Sequence, residues 1–468
     1  MAVNLERIQN TLRASAGSRT LRPHWREQAL NLLELHRSAY PGSASRQAAF
    51  GFVPGRIEVF GRHTDYAGGR SLVCAIDRGF FFIASSNSDG MIRMQERETE
   101  FEHIAFPFSS SLAPRKGHWA NYPMTMARRM ARNFAGGASL KGVDIAFSST
   151  LPVGSGMSGS SALMMMTFTA IAWLNGLPEA PAFHENLRDP LDLAVYLACA
   201  ENGQGFRGLK GDSGVGTFGG SEDHAAILTA RPGILSLFGF SPASLQEEIA
   251  WPRGWSMIVA FCGARAEKTR EALEKYNLVS RRARSAVARY NRFSGTRLAT
   301  LREVADHGAV RKGSGWLADL DRTGEGDPGL GDRVRQFLLE DRRFIPAAMT
   351  AVRQKDLPAF GKLLSASHRA SQRFLWNIAP EIDALQRSAV RLGAAGASGF
   401  GGGFGGSILA VVPSTAAKDF LPAWRERYLR RFPACAAEAS FFLTAPGPGI
   451  QLLDEKGPTR LVDLIFES

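Results

Sequence analysis

Residues 54–69, PGRIEVFGRHTDYAGG, gather a guanidinium (Arg56), an imidazole (His63) and a carboxylate (Asp65) beside turn-forming glycines. Those types suit a polyhydroxylated ligand. Adjacent hydroxyls need an acceptor such as Asp65 and a group such as His63 that can donate or accept, while Gly68-Gly69 lets backbone come close. A solvated hairpin turn would use the same glycines, so the stretch gains meaning from the segments that accompany it.

The first of these is residues 151–163, LPVGSGMSGSSAL, which run directly into the apolar residues 164–174. Gly154, Gly156 and Gly159 leave backbone amides uncovered where a buried helix is predicted to begin. Unpaired amides and the positive end of the helix dipole favour phosphate, and Ser158, Ser160 and Ser161 add hydroxyls for phosphate or for its magnesium. No Gly-Lys-Ser or Gly-Lys-Thr follows, so this is not a Walker loop. The glycines also spell GxGxxG, but Glu179 lies in a proline-rich loop after the helix rather than at the end of a second strand, as a dinucleotide fold requires. The second segment, residues 391–412 (RLGAAGASGFGGGFGGSILAVV), carries a glycine run that ends in the buried strand 407–412. Glycines beside a core strand mean close backbone approach, here by a ligand or by the phosphate loop.

Taken together, the three segments resemble the three motifs of the GHMP small-molecule kinases, and within them the galactokinase branch, whose motifs read like GRxNLxGEHTDYNGG, PxGxGLSSSA and TGGGFGG. The order is the same, and smaller pieces follow: Trp119-Ala-Asn-Tyr122, Gly220-Ser-Glu-Asp-His224 in place of GIMDQ, Tyr276-Asn277, and LLSASH at residues 363–368. The resemblance implies a two-domain α+β GHMP kinase fold with the active site in the interdomain cleft. It implies an ATP- and magnesium-dependent sugar kinase that phosphorylates the anomeric hydroxyl of a monosaccharide. On matching positions, Asp223 is the catalytic aspartate that takes or steers the hydroxyl proton, and Arg56 is the arginine that pairs with it and offsets charge on the phosphoryl group. Arg62, His63, Asp65, Gly220, Tyr276 and Gly403 fall on the sugar side. Trp119, Gly154, Ser155, Gly156, Met157, Ser158, Gly159, Ser160 and Ser161 fall on the nucleotide side. Ser160 matches the magnesium-ligating serine, with Glu201 as its acidic partner. Read by itself, Asp223 is equally a residue of a helix start, because residues 221–228 have that pattern.

Departures from the family pattern bear on the substrate. Arg62 stands where galactokinases carry glutamate, Glu58 where they carry asparagine, and Glu222 and His224 where they carry Met and Gln; a glycine-rich insertion, GFRGLKGDSGVG, precedes Asp223. Arginine cannot accept a hydrogen bond from the hydroxyl at carbon six, so galactose is put in doubt and a uronic acid or other modified sugar is suited instead. The competing expectation is a structural swap in which Arg62 pairs with Glu58 and the sugar is neutral. A catalytically inactive sugar and ATP sensor is the alternative function, disfavoured because the second motif is not shortened. Mevalonate and homoserine kinases lack the HTDYxGG signature.

Composition fits an enzyme of about two domains, with 468 residues and 44% hydrophobic content. The four cysteines show no CxxC pair and read as buried thiols in a reducing, cytoplasmic setting. A net charge of +12 agrees with polyanionic ligands such as ATP. No nucleic-acid or membrane partner is expected, and the oligomeric state stays open, a monomer included. The predicted organisation is a helical extension over 1–48, an α+β domain over 49–250 with the sugar motif and phosphate loop, and a second α+β domain over 251–468 with a glycine- and aspartate-rich insertion near 308–335. The arginines of the first 48 residues faintly resemble a transit peptide, but an amphipathic helix from Trp25 to Ala39 packed on the body explains them better.

Overall fold

The computed structural model describes residues 3–14, 23–135, 140–264, 270–307, 315–317, 320, 327, 329–403, 406–454 and 457–467. Most of the predicted insertion at 308–335 lies outside them; its final residues belong to the helix Gly329–Leu338 rather than to a loop.

Two sheets organise the chain. The larger has ten described strands, and its centre is the long antiparallel pair Gln47–Phe60 and Arg70–Asn87. Side chains alternate across that pair as the two-residue period requires. Val53, Ile57, Val59, Phe80 and Phe82 join the main core with the helix Gly159–Leu174. Phe50, Phe52, Phe81 and Ile83 face the other way, against Leu5, Ile8, Leu12, Trp25, Ala29, Leu32 and Leu33. The last group comes from the helices Leu5–Ala14 and Pro23–Ala39, so the amphipathic segment expected near the N-terminus covers a sheet face. With both faces covered, the strand Gln47–Phe60 is buried from its second residue onward.

The smaller sheet is antiparallel, in the order Gly396–Gly399, Ser407–Pro413, Trp255–Phe261 and Ser440–Thr444. Helices Pro380–Arg391 and Ala417–Arg431 cover one side of it through Leu385, Trp424 and Tyr428. The chain then returns: the strand Gln451–Asp454 pairs with Gly51 and Phe52 of the large sheet.

Two differences from the sequence reading matter for the site. The strand Gln47–Phe60 runs on through Arg56 and Glu58, so both sit on a rigid strand, and only residues 61–69 form the loop. Register shifts between Pro54 and Arg56 and between Glu58 and Phe60 re-aim that stretch. The inserted residues 205–216, of which the sequence reading gave no conformation, are packed on the body. Asp212 accepts from Arg128 Nε at 2.9 Å and from Arg129 Nε at 3.3 Å, and the Val215 amide donates to the Glu201 carbonyl at 2.9 Å. That packs the insertion on the end of the helix Pro190–Asn202.

Candidate active site

A cavity of about 450 Å³ lies where the phosphate loop, residues 61–69 and the glycines 401–403 meet. It is lined by Arg56, His63, Asp65, Trp119, Gly154, Ser155, Gly156, Ser158, Gly159, Ser160, Ser161, Glu201, Gly220, Asp223, Tyr276 and Gly403, which brings together nearly all the residues singled out from sequence. Two of them are elsewhere. Met157 is fully buried, and its carbonyl accepts the Arg56 amide at 3.2 Å. Arg62 is also buried outside the lining: its Nη2 donates to Ser398 Oγ at 2.8 Å, and its Nε lies 3.9 Å from Glu58 Oε1.

The phosphate loop holds left-handed backbone at Gly154, Gly156 and, unusually, Ser158, with φ of 70°, 76° and 59°. The helix Gly159–Leu174 begins at once, apolar on every side and buried along nearly all its length, so its amide end is fixed in space. Gly401 shows why glycine faces this loop: at φ 73°, a methyl there would sit 2.6 Å from the Gly156 carbonyl oxygen. A methyl on Gly403 would likewise lie 2.5 Å from the Asn377 carbonyl. Two polar groups on this side, Ser158 Oγ and Trp119 Nε1, are buried with no hydrogen-bond partner. Orphaned donors beside a helix N-terminus fit a phosphate-bearing ligand.

At the junction of the cavity, Arg56 Nε donates to Asp223 Oδ1 at 2.7 Å and Arg56 Nη1 to the Gly156 carbonyl at 2.8 Å. One guanidinium thus ties the carboxylate to the phosphate loop. Asp223 lies in the first turn of the helix Glu222–Thr229, and its carboxylate reaches Arg56. Burial works against the Arg56 charge, but Asp223, Glu222 and Glu58 more than offset it and hold the guanidinium protonated. Glu222, placed where the family pattern has Met, accepts from Ser71 Oγ at 2.5 Å and lies 3.7 Å from Arg56 Nε. Glu201 takes the Ser161 hydroxyl at 2.8 Å and lies 3.2 Å from His224 Nε2.

Residues 61–69 are held mainly through their backbone. Glu340 accepts from the Gly61 amide at 3.0 Å, Gln336 Nε2 donates to the Arg62 carbonyl at 2.8 Å, Arg333 donates to the His63 carbonyl, and Asp341 accepts from the Arg70 amide at 3.0 Å. These four come from the helix Gly329–Leu338 and the wider π-helical turn Leu339–Phe344. Sequence reasoning missed them: Arg333 lay within the predicted insertion, and Gln336, Glu340 and Asp341 lay beyond its end. His63, itself at φ 58°, accepts from Tyr66 at Nδ1 (2.8 Å) and donates from Nε2 to the Gly402 carbonyl at 3.3 Å, with the Tyr276 ring 5.3 Å away. Burial and the nearby Arg333 push its pKa down to about 3, so it is neutral. Burial drives the carboxyls of Asp65 and Glu222 up, and that of Glu58 up to about 8 against the pull of Arg62 and Arg56.

The galactokinase galactose-binding signature matches residues 34–86, the GHMP kinases N-terminal domain residues 121–203, and the GHMP kinases C-terminal model residues 348–429. The galactokinase of Lacticaseibacillus casei (strain BL23) is 31% identical over 389 residues, covering 80% of this chain and 89% of that protein. The galactokinase of Exiguobacterium sibiricum is 27% identical over 414 residues, covering 86% and 94%. Among solved structures, Lactococcus lactis galactokinase complexed with galactose shares the fold with a TM-score of 0.72 at 23% identity, over 92% of this chain and 98% of that one. A mevalonate kinase aligns with a TM-score of 0.53 at 13% identity, over 85% and 98%.

Proposed function

Since this chain belongs to the galactokinase-like branch of the GHMP kinases, we propose that it transfers the γ-phosphoryl group of ATP to the anomeric hydroxyl of a monosaccharide, giving a sugar 1-phosphate and ADP. The observation that carries the reading is the 2.7 Å bond from Arg56 to Asp223, with the same guanidinium bonded to the Gly156 carbonyl of the phosphate loop. Asp223 accepts the proton of the attacking hydroxyl, and Arg56 sits between that carboxylate and the loop, where charge develops on the moving phosphoryl group. Backbone amides of residues 154–161 and the hydroxyls of Ser158, Ser160 and Ser161 hold the phosphates. Ser160 and Glu201 would hold magnesium, a hard ion that takes a hydroxyl and one carboxylate and neutralises phosphate charge. His63, Asp65, Gly220 and Tyr276 bound the sugar side, with the neutral imidazole accepting from Tyr66 at Nδ1 and donating to the Gly402 carbonyl from Nε2. No helix among the described residues is long and apolar enough to cross a membrane, and we place the protein in the cytoplasm.

The test is an ADP-release assay against aldoses, amino sugars and uronic acids, followed by phosphorus NMR of the product. Phosphate on carbon one supports the reading. A product phosphorylated elsewhere, or no release with any sugar from folded protein, would remove it.

A further inference from the structure

Among the departures from the family pattern, Glu222 adjoins Asp223 and begins the helix that carries it. A buried glutamate beside an arginine reads first as that arginine's counter-ion. The contacts give it different work. Glu222 Oε1 lies 3.7 Å from Arg56 Nε, beyond hydrogen-bond reach, while the same Nε bonds Asp223 Oδ1 at 2.7 Å and Nη1 bonds the Gly156 carbonyl at 2.8 Å. Burial, with Glu58, Asp65 and Asp223 nearby, drives the Glu222 carboxyl well above the ordinary range against the pull of Arg56, which leaves the guanidinium to Asp223.

The side chain of Glu222 is joined instead to the sugar loop. Ser71 Oγ donates to Glu222 Oε2 at 2.5 Å, and Ser71 is fully buried on the strand that follows residues 61–69. Ser71 Oγ also lies 3.2 Å from Thr64 Oγ1, which has the Gly61 and Arg70 carbonyls, one at each end of the loop, 2.6 Å away. The backbone makes a second join, because the Glu222 amide meets the Asp65 carboxylate. The fit there is close: a methyl on Gly220 would sit 2.2 Å from Asp65 Oδ2. Residue 222 thus grips residues 61–71 through both its amide and its side chain, and Asp223 is the next residue in the chain. A shift of either join moves the Asp223 carboxylate relative to His63 and Asp65, and a misplacement of about 1 Å at a reacting group costs on the order of a hundredfold in rate.

We infer that Glu222 is a positioning residue for the phosphoryl transfer, locking the helix that bears Asp223 to the loop that bounds the sugar through its hydrogen bond with Ser71 rather than serving Arg56 as a counter-ion. This rests on the sugar-kinase reading above. The general base and the sugar loop then move as one body.

The experiment measures kcat, sugar KM and ATP KM, with the better of galactose and galacturonate as the probe sugar, for the wild type, Glu222→Gln, Glu222→Met, Ser71→Ala and the Glu222→Met and Ser71→Ala double variant. Glu222→Gln removes the charge and keeps an acceptor for Ser71, so kcat/KM for sugar should stay within about threefold of the wild type. Glu222→Met is similar in bulk and has no such acceptor; its kcat should fall about tenfold with ATP KM changed by less than about twofold. Ser71→Ala should lose about as much, and the double variant no more than about twofold beyond the worse single variant, because both break the same bond. Equal impairment of Glu222→Gln and Glu222→Met would make Glu222 a counter-ion after all. That result, wild-type kinetics in Glu222→Met, or multiplying losses in the double variant each overturn the inference.

Amide hydrogen exchange reads the joint without turnover. In Glu222→Met, and not in Glu222→Gln, exchange should quicken at least about tenfold in residues 61–71 and 221–225 together. Unchanged exchange in both segments overturns the inference, and should Glu222→Met not fold, Ser71→Ala carries the same comparison. If the wild type turns over neither sugar nor any other aldose while exchange follows this pattern, the joint stands and the kinase reading falls. If neither turnover nor the exchange pattern is seen, both fall.

Discussion

The two sides of the cavity are built from different materials. The phosphate-loop side is backbone: left-handed Gly154, Gly156 and Ser158, an apolar helix that fixes their amides, and Gly401 pressed on Gly156. The sugar side is built of buried ionisable side chains: Glu58, Arg62, Glu222, Glu340 and Asp341, each nearly or fully removed from solvent. A backbone site binds what every nucleotide shares, its phosphates, and needs only local geometry. A site of buried charges depends on long-range partners, and a change in one of them alters which ligand is satisfied. The nucleotide side is therefore constrained by conformation and the sugar side by pairing, which is where the departures at Glu58, Arg62 and Glu222 have collected.

The largest expected effect falls on the residue pair that joins the two sides. Asp223→Asn should lower kcat by about 10²-fold or more, in line with loss of a general base, while ATP affinity measured by equilibrium binding stays within about twofold. Arg56→Met should lower kcat comparably and also weaken ATP binding, because its Nη1 is bonded to the phosphate loop at Gly156. Equal loss of ATP binding in both variants would show that the two sides are not separable at this junction.

A smaller effect tests whether the anchors of residues 61–69 serve the sugar side alone. Glu340→Ala leaves the Gly61 amide without its acceptor and removes a carboxylate from beside Arg62. An unpaired buried donor costs about 1–3 kcal/mol, so stability should fall by that amount. Sugar KM should rise about tenfold as the loop loosens, with ATP KM changed by less than about twofold. A lowered melting temperature with unaltered sugar KM would reduce Glu340 to a structural role, and a matched rise in both KM values would contradict the division between the sides.

That division also explains what could be read from sequence. The phosphate loop was legible because its requirement is local: glycine at positive φ before an apolar run is visible in a dozen residues. The strand Ser407–Pro413 was legible for the same reason, as an apolar run. Arg62 was legible as a type but not as a direction, because its orientation is set by Ser398, more than three hundred residues away in the chain. The anchors Arg333, Gln336, Glu340 and Asp341 were hidden for a related reason. They act on backbone groups of residues 61–70, and a hydrogen bond to a peptide group leaves no trace in the partner's side chain. The return of Gln451–Asp454 to the large sheet was likewise invisible, since strand pairing across such a distance is fixed by tertiary packing.

The smallest effect sharpens the sugar side further, through a group whose charge never appears at working pH. His63 is pushed down to about 3 by burial and by Arg333, whereas in the unfolded chain it titrates near 6.5, the ordinary value for a histidine. Its folded pKa is depressed, so the unfolded chain binds the extra proton. The contribution of His63 to stability is complete above about pH 6.5 and is lost as pH falls from there towards 3. The rate of loss is about 1.4 kcal/mol per pH unit per histidine once the unfolded form is fully protonated. The raised carboxyls Glu58, Glu222 and Asp65 act with the opposite sign, losing stability as pH rises through their folded values, so the total slope mixes both. The difference between wild type and His63→Gln isolates the histidine. Without sugar, urea unfolding at pH 6, 5 and 4 should show a shallower acid loss in His63→Gln by roughly that amount per unit. In the wild type, kcat/KM for sugar should show no inflection near pH 6.5 that His63→Gln abolishes. Parallel stability curves for the two proteins would mean that His63 titrates freely in the fold, and its neutral bridge from Tyr66 to the Gly402 carbonyl would not be fixed.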